Sequence, residues 1–355
     1  MITGAPETVD GQLHLVLTRT FTAPIQDVWD AITQSERLGR WFGTWTGDPA
    51  SGRVEVTWAY EDGAPSEPYV IEVCEEPTRL RVHNEGDDAE QLWTLDLRLA
   101  EEDGVTTLRF AQVLTDTSSV HHVGPGWEYY LDRMADTVRT GEVATTTWDG
   151  YLAMGSEYAA AFDLPEAQVG EALLMSALGQ LKDLVRAGAD GDAATMTTPC
   201  EGWDVRRLSE HLVTTTEAFT RGVRGEAVDW TASPQPVEGE VAQAFAQAAD
   251  ELFHARSTAG ESVDPPDWQL AEYAVHTWDL ATALGRPTAD LDQRVAERGA
   301  AFMRVNLSDE NRGEAFGPAR PEPQAGDAYA DLAAFAGRDV GLRSPGRRPA
   351  GATPP

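Results

Sequence analysis

Residues 268–285 read WQLAEYAVHTWDLATALG, and the directions in which these side chains point decide the second half of the chain. At 100° per residue on an α-helix, Leu270, Ala271, Ala274, Val275, Trp278, Leu280, Ala281 and Leu284 occupy nearly every direction. A helix that is apolar almost all round is buried among others rather than laid on a surface. Yet Glu272, His276 and Asp279 fall within about 60° of one another, and they are the only carboxylate or imidazole side chains of the segment. Such groups on a buried helix must be paired or must bind something. Glu272 and His276 stand one turn apart, so they could share a metal. The same spacing suits a buried Glu–His hydrogen bond, or a polar stripe facing a neighbouring helix.

Around this segment the apolar period is helical over 167–188, 204–224, 239–258 and 288–306 as well. Helices joined by short connections predict an antiparallel bundle. In 204–224, Asp204 suits an N-cap, and Val205, Leu208, Leu212, Phe219 and Val223 form the core stripe. His211 lies on the flank of that stripe, within reach of a neighbouring helix. A ligand from there would complete a set of two histidines and one glutamate with open coordination positions, as in catalytic zinc sites. Beyond Asn306 come FGPARPEPQAG, a short helix near 327–337, and a Pro/Gly/Arg-rich end; 341–355 is expected to be a disordered tail.

The first ~160 residues have a different grain, α mixed with β. QLHLVLTRT at 12–20 alternates like a strand; Pro24 suits a first helical position before Val28, Trp29 and Ile32; a second short helix spans Ser35 to Trp41. Strand-like runs follow at 53–60, 68–75, 78–84, 91–99 and 105–114, separated by turns such as EEDG at 101–104. A helix from Pro125 to Val138 carries Trp127, Tyr130, Leu131 and Met134. This order predicts an α+β domain whose sheet covers one face with the last helix.

Length and composition bound the function. At roughly 100–200 residues per domain, the 355 residues suggest two domains. With 59 acidic against 27 basic residues, the net charge of −32 repels phosphate backbones, so no nucleic-acid partner is expected. No apolar run reaches about 18 residues, and the N-terminus MITGAPETVDG lacks the basic and apolar regions of a signal peptide, so neither a membrane partner nor export is expected. The two cysteines, Cys74 and Cys200, fall in different halves, which points to a reducing cytoplasm rather than a disulfide framework. Lys182 is the one lysine among many arginines, a coding bias that hints at an actinobacterial source.

FTAPIQDVWDAITQSERLGRWF (21–42), PYVIEVCEEPTRLRV (68–82), GVTTLRFAQV (104–113) and GPGWEYYLDRM (124–134) resemble, in order, blocks of the helix-grip (SRPBCC/START-like) superfamily, in its branch of heat shock protein 90 ATPase activator homologues. The resemblance implies an antiparallel sheet wrapped on a long C-terminal helix over 12–162, with a cavity for a small hydrophobic molecule. TTPCEGWDVRRLSEHLV (197–213) and AEYAVHTWDLATALG (271–285), with FGPARPEP…LAAFAGRD near the end, resemble the mycothiol-dependent maleylpyruvate isomerase-like metal-binding domain, a DinB-like four-helix bundle, over 168–340. That family implies a divalent metal, zinc first, held by His211, Glu272 and His276, with mycothiol, a low-molecular-weight thiol, as co-substrate. The isomerase itself carries a further C-terminal substrate-binding domain where this chain has a short tail. The implied activity is therefore a mycothiol-dependent transferase or isomerase acting on a small hydrophobic electrophile, rather than maleylpyruvate isomerisation itself.

In that scheme Asp279 orients one ligand from behind; were it a fourth ligand instead, the site would be closed and structural. The alternative is a non-catalytic binding or stress-response protein with a structural metal site. Cys200, just before the helix at Asp204, is a competing nucleophile, against the plainer reading of a small packed residue in its turn. Trp203 and Cys74 are expected to be structural. His121 and His122 are expected to be exposed in a loop, and His14, His83 and His254 stand alone. No catalytic pairing is assigned to Glu75–Glu76 or Glu101–Asp103.

Overall fold

The computed structural model describes residues 2–61, 63–85, 93–148, 150–230, 235–259, 263–310, 312, 316–321 and 326–341. Apart from Gly341, the expected disordered tail lies outside the described residues. The chain divides into two units, Met1–Leu164 and Pro165–Pro355.

The first unit runs β1 (Ala5–Val9), β2 (Gln12–Phe21), α1 (Ile25–Thr33), α2 (Ser35–Leu38), β3 (Gly43–Asp48), β4 (Arg53–Trp58), β5 (Ser66–Glu75), β6 (Arg79–Asn84), β7 (Thr94–Glu102), β8 (Val105–Leu114), α3 (Val120–Thr140) and α4 (Gly155–Ala161). Its strands form one antiparallel sheet in the order β1-β2-β8-β7-β6-β5-β4-β3. The last strand therefore pairs with the second, with Leu17 opposite Phe110. Alternation sends Leu15, Leu17, Leu97, Leu108 and Phe110 into the core, where Trp127, Leu131 and Met134 of α3 are buried as well. The Phe110 and Trp127 ring centroids are 4.4 Å apart. This is the helix-grip architecture that the resemblance implies, and it fits the α+β order read from the strands and helices.

Four details differ from the sequence reading. β1 is an extra edge strand, turned onto β2 through Asp10 and Gly11, both at positive φ (52° and 81°). Asp-Gly between two strands is the hairpin signal for a turn of that kind, and here it was missed because APETV carries no apolar alternation. β3, GTWTGD, likewise has too few apolar residues to announce itself. α3 begins at Val120, not at Pro125, so Pro125 sits inside the helix. That start corrects the expectation for the histidine pair: His121 and His122 lie in the first turn of α3, and His121 is buried. Burial brings both imidazoles down, to about 3 for His121 beside His122 and about 4 for His122, so both are neutral at pH 7.

The first unit closes around Glu128 of α3, which is 2% exposed. Its carboxylate accepts from the backbone N–H of Thr3 (2.6 Å) and Gly4 (3.2 Å) and from the hydroxyl of Tyr158 (2.7 Å), and it pairs with Arg19 of β2 at 2.5 Å. One buried charge thus ties the chain start, β2, α3 and α4. Tyr158 packs so closely on α3 that a Cβ at Gly124 would meet its ring at 2.6 Å. Between the sheet and the α1–α2 segment, with Trp127 of α3 on its wall, a cavity of about 160 Å³ remains.

The second unit comprises α5 (Glu166–Gly188), α6 (Gly191–Ala194), α7 (Val205–Val223), α8 (Val241–Ala259), α9 (Asp267–Ala283), α10 (Gln293–Asn306) and α11 (Ala328–Phe335). α5, α7, α8 and α9 make the bundle, α7 packing chiefly on α8 and α9 on α10 and α5. α9 is buried on most of its circumference, from Leu270 to Ala283, as its all-round apolar pattern demands. α10 begins later than its apolar period implies because Asp292 caps it, accepting from Arg294 N–H at 3.3 Å. It comes so near α9 that a Cβ on Gly299 would sit 3.0 Å from the Ala271 Cα.

Glu128 supplies a pH-dependent contribution to stability. Burial alone would raise its pKa, but the Thr3 N–H, Arg19 and Tyr158 hold the carboxyl below the usual range. A carboxylate with a lowered folded-state pKa stabilises the fold above its unfolded value, about 4.3, and that contribution is lost as pH falls through the folded value. Glu128→Gln is expected to cost about 2–3 kcal/mol at pH 7. Thermal melts from pH 5 down to pH 3 should show the wild-type midpoint falling more steeply than that of the variant.

Candidate metal centre

Two helices meet at the polar stripe of α9. Asp204 caps α7 as its sequence position predicts, accepting from Arg207 N–H at 2.8 Å, and so fixes the phase that puts His211 two turns further on. His211 Nε2 lies 2.8 Å from Glu272 Oε1. One turn along α9, His276 Nε2 lies 3.3 Å from the same oxygen. The two imidazole rings stand edge to face with centroids 4.9 Å apart. The structure therefore brings His211, Glu272 and His276 together, with one donor atom of each within 4.8 Å of the others.

The donor set tests well against a divalent ion. Tetrahedral zinc with bonds of about 2.0–2.1 Å spaces its ligand atoms about 3.3 Å apart, close to the separations of both histidines from Glu272. His211 and Glu272 are about one-fifth exposed, whereas His276 is largely buried, so the group opens on one side only. Among the described residues no fourth protein ligand joins it.

Asp279 sits behind His276. Its Oδ2 is 3.0 Å from His276 Nδ1, the nitrogen that faces away from Glu272. A carboxylate can only accept, so Nδ1 carries the proton and Nε2 is the nitrogen free to donate a lone pair. Such a carboxylate–histidine pair fixes ring and tautomer in metal sites. Asp279 is wholly buried, and Arg338 answers its charge with Nε at 3.2 Å from Oδ1 and a terminal nitrogen at 3.1 Å from Oδ2. Arg338 lies in the GRD of the C-terminal segment, where no local pattern marks it as a partner, since 59 residues separate it from Asp279.

Cys200 belongs to this group too. The turn that carries it is pinned by Thr198 N–H to the Trp203 carbonyl (3.0 Å) and by Val205 N–H to the Met196 carbonyl (2.9 Å). Its thiol donates to Asp279 Oδ2 at 3.1 Å and lies 4.0 Å from His276 Nδ1. Cys200, His276 and Asp279 form a second triple that could by composition take an ion. The Arg338 guanidinium, 3.5 Å from the sulfur, already supplies positive charge there, so the first triple is the better candidate. Trp203 is half-buried beside His211, ring centroids 5.0 Å apart, at the edge of the group rather than deep in the core.

Burial would raise the Glu272 carboxyl, but His276 and His211 hold it far below the usual range. For His276 burial works downwards, yet Glu272, Asp279 and Cys200 raise it well above its ordinary value. Asp279 is lowered against burial by His276 and Arg338. Without an ion the group is thus a charged Glu–His–Asp–Arg chain, and His276 Nε2 must give up its proton before donating to a metal.

The remaining sequence candidates lie apart. His83 pairs with Glu72 at 3.0 Å, and His14 is buried with Nδ1 3.0 Å from the Gln12 carbonyl. His254 lies on α8. Cys74 is exposed on β5 at the cavity wall of the first unit rather than packed in a core.

Residues 22–139 match the family described as activator of Hsp90 ATPase homolog 1-like protein, and residues 174–265 match the mycothiol maleylpyruvate isomerase N-terminal domain. Each half of the chain thus carries a match to one of these families. The isomerase-type match contains His211; Glu272 and His276 lie just beyond it on α9. The uncharacterized proteins Rv0738 and MT0763 of two Mycobacterium tuberculosis strains are each 32% identical over 161 residues, covering 40% of this chain and 84% of theirs. Among solved structures, CalU16 from Micromonospora echinospora is 24% identical over 46% of this chain and 97% of its own, with a TM-score of 0.37. DynU16, from the dynemicin biosynthetic locus, is 19% identical over 37% and 49%, with a TM-score of 0.30.

The carboxylate behind His276 should govern how tightly an ion is held. Asp279→Asn and Arg338→Ala are expected to weaken zinc affinity about 10–100-fold, read by competition with a chromophoric chelator. Unchanged affinity in both would reduce the Asp279–Arg338 pair to a packing element.

Proposed function

We propose that His211, Glu272 and His276 hold one divalent cation, and that the chain is a mycothiol-dependent transferase or isomerase acting on a small hydrophobic electrophile. The observation that carries the metal is the convergence of three donors on one partly open face, with the far nitrogen of His276 tied to a buried carboxylate. Two imidazoles and one carboxylate favour zinc over harder ions. Held by His211, Glu272 and His276, such an ion would supply Lewis-acid chemistry at its open positions, which would favour the thiolate form of a thiol at neutral pH.

The chain's own residues supply the frame. Asp279 keeps the His276 proton on Nδ1, Arg338 keeps Asp279 charged and in place, and Trp203 shields one side of His211. Thiol chemistry of this class needs no oxidant: in an isomerisation the sulfur adds to the electrophile and is expelled again, and in a transfer the new carbon–sulfur bond stays on the product while the leaving group departs with its electron pair and takes up the proton that the thiol gave up. The match of the second half to the isomerase-type domain supports a low-molecular-weight thiol as co-substrate. The helix-grip cavity is the place for the apolar substrate. We assign residues 12–162 and 168–340 to the two domains and the reducing cytoplasm to the protein; both cysteines are free thiols, and among the described residues no helix is long and apolar enough to cross a membrane.

The second reading is a ligand-binding or stress-response protein whose metal is structural. The buried ion chain around Asp279, which holds the bundle together without a reactant, favours it.

Plasma mass spectrometry on the native protein should find close to one equivalent of zinc or a similar ion, lost in His211→Ala and in His276→Ala. A metal-free native protein that also fails to reload would reduce the stripe to a structural polar cluster. Thiol-dependent turnover that survives the loss of metal in His276→Ala would overturn the catalytic role of the ion, and absence of thiol-dependent turnover in the metal-loaded native protein would overturn the enzyme reading.

A further inference from the structure

The cavity of the first unit is lined almost wholly by apolar side chains, and its few polar groups are nearly all committed elsewhere. The Trp41 indole donates to the Ala31 carbonyl (2.9 Å), that of Trp45 to the Thr33 carbonyl (2.9 Å), and that of Trp127 to Gln112 Oε1 (2.6 Å). The Thr33 hydroxyl donates to the Trp29 carbonyl at 2.9 Å. Tyr69 of β5 stands out. It is 4% exposed, it lines the cavity, and its hydroxyl has no hydrogen-bond partner among the described residues. A buried hydroxyl left unpaired costs free energy, and each such group calls for a physical reason.

A bound water is a poor answer, because it needs two to four polar partners and beside the Tyr69 hydroxyl this wall offers only the weakly bonding Cys74 thiol. A ligand is a better one. The volume of about 160 Å³ is that of a cavity able to take a single aromatic ring. Pockets of this kind orient an apolar ligand by one or two fixed polar groups. Burial, with the charge of Glu67 nearby, raises the Tyr69 phenol, which therefore stays protonated and can donate. Cys74, the other polar group of the wall, is raised by burial and by Glu76 and stays a thiol, so it is no nucleophile at neutral pH.

We propose that the first unit binds a one-ring apolar molecule bearing a carbonyl oxygen, which accepts a hydrogen bond from the Tyr69 hydroxyl. This rests on the reading of the helix-grip cavity as a hydrophobic-ligand site and adds the chemistry of the group that the ligand must carry. A carbonyl on an apolar ring is also what makes such a molecule electrophilic, in keeping with attack by a thiol.

The test uses the full chain and two probes of similar shape, acetophenone and isopropylbenzene, titrated calorimetrically into wild type and Tyr69→Phe. Acetophenone should bind the variant about tenfold more weakly, while isopropylbenzene changes by less than twofold. Loss of the orphaned hydroxyl should leave the melting temperature unchanged or raised, and retained isopropylbenzene binding shows the cavity intact. If both probes bind and Tyr69→Phe shifts neither, or shifts both in parallel, the Tyr69 proposal fails and the cavity reading stands. If neither probe binds the wild type, both fail together.

Discussion

Asp279 is a carboxylate with no exposed surface, on a helix whose other faces are apolar, and such a group cannot stay charged without partners. The fold answers with positive charge from two directions: His276 from the same helix and Arg338 from the segment that follows α11. Everything at the candidate centre depends on that answer. With Nδ1 of His276 bound behind, the opposite nitrogen is presented to Glu272 and His211. A rigid backing of this kind is what separates an imidazole able to serve as a ligand from one that merely packs.

The α9 stripe was legible in the sequence because helical geometry alone puts residues 272, 276 and 279 on one face. The apolar remainder of the helix said that this face was buried. His211 was legible through its capped helix, since the Asp204 cap fixes the phase of α7. Arg338 was not, because a contact across 59 residues leaves no local pattern. Cys200 was seen as a residue and missed as a neighbour: its position depends on a loop held by backbone hydrogen bonds, which side-chain periodicity does not report.

In the first unit the apolar strands and the apolar face of the long helix were readable, while β1 and β3 were not. Both lie at the two edges of the sheet, where little burial is required and apolar alternation is correspondingly weak. The helix start was misplaced because Pro125 imitates a first-turn proline. The Glu128 junction was invisible for the same reason as Arg338: its partners Thr3, Arg19 and Tyr158 come from distant parts of the chain. Tyr69 belongs to a third kind, a residue whose strand position fits the pattern while its hydroxyl does not.

The helices of the second unit associate in pairs, α7 with α8 and α9 with α10, and α9 and α10 approach without a side chain between them at Gly299. His211 rides on the first pair, Glu272 and His276 on the second. An ion shared among them would act as a rivet between two hairpins that already share one apolar core. Affinity for the ion and rigidity of the bundle would then be a single thermodynamic quantity, so that whatever loosens the seam between the hairpins also loosens the grip on the metal.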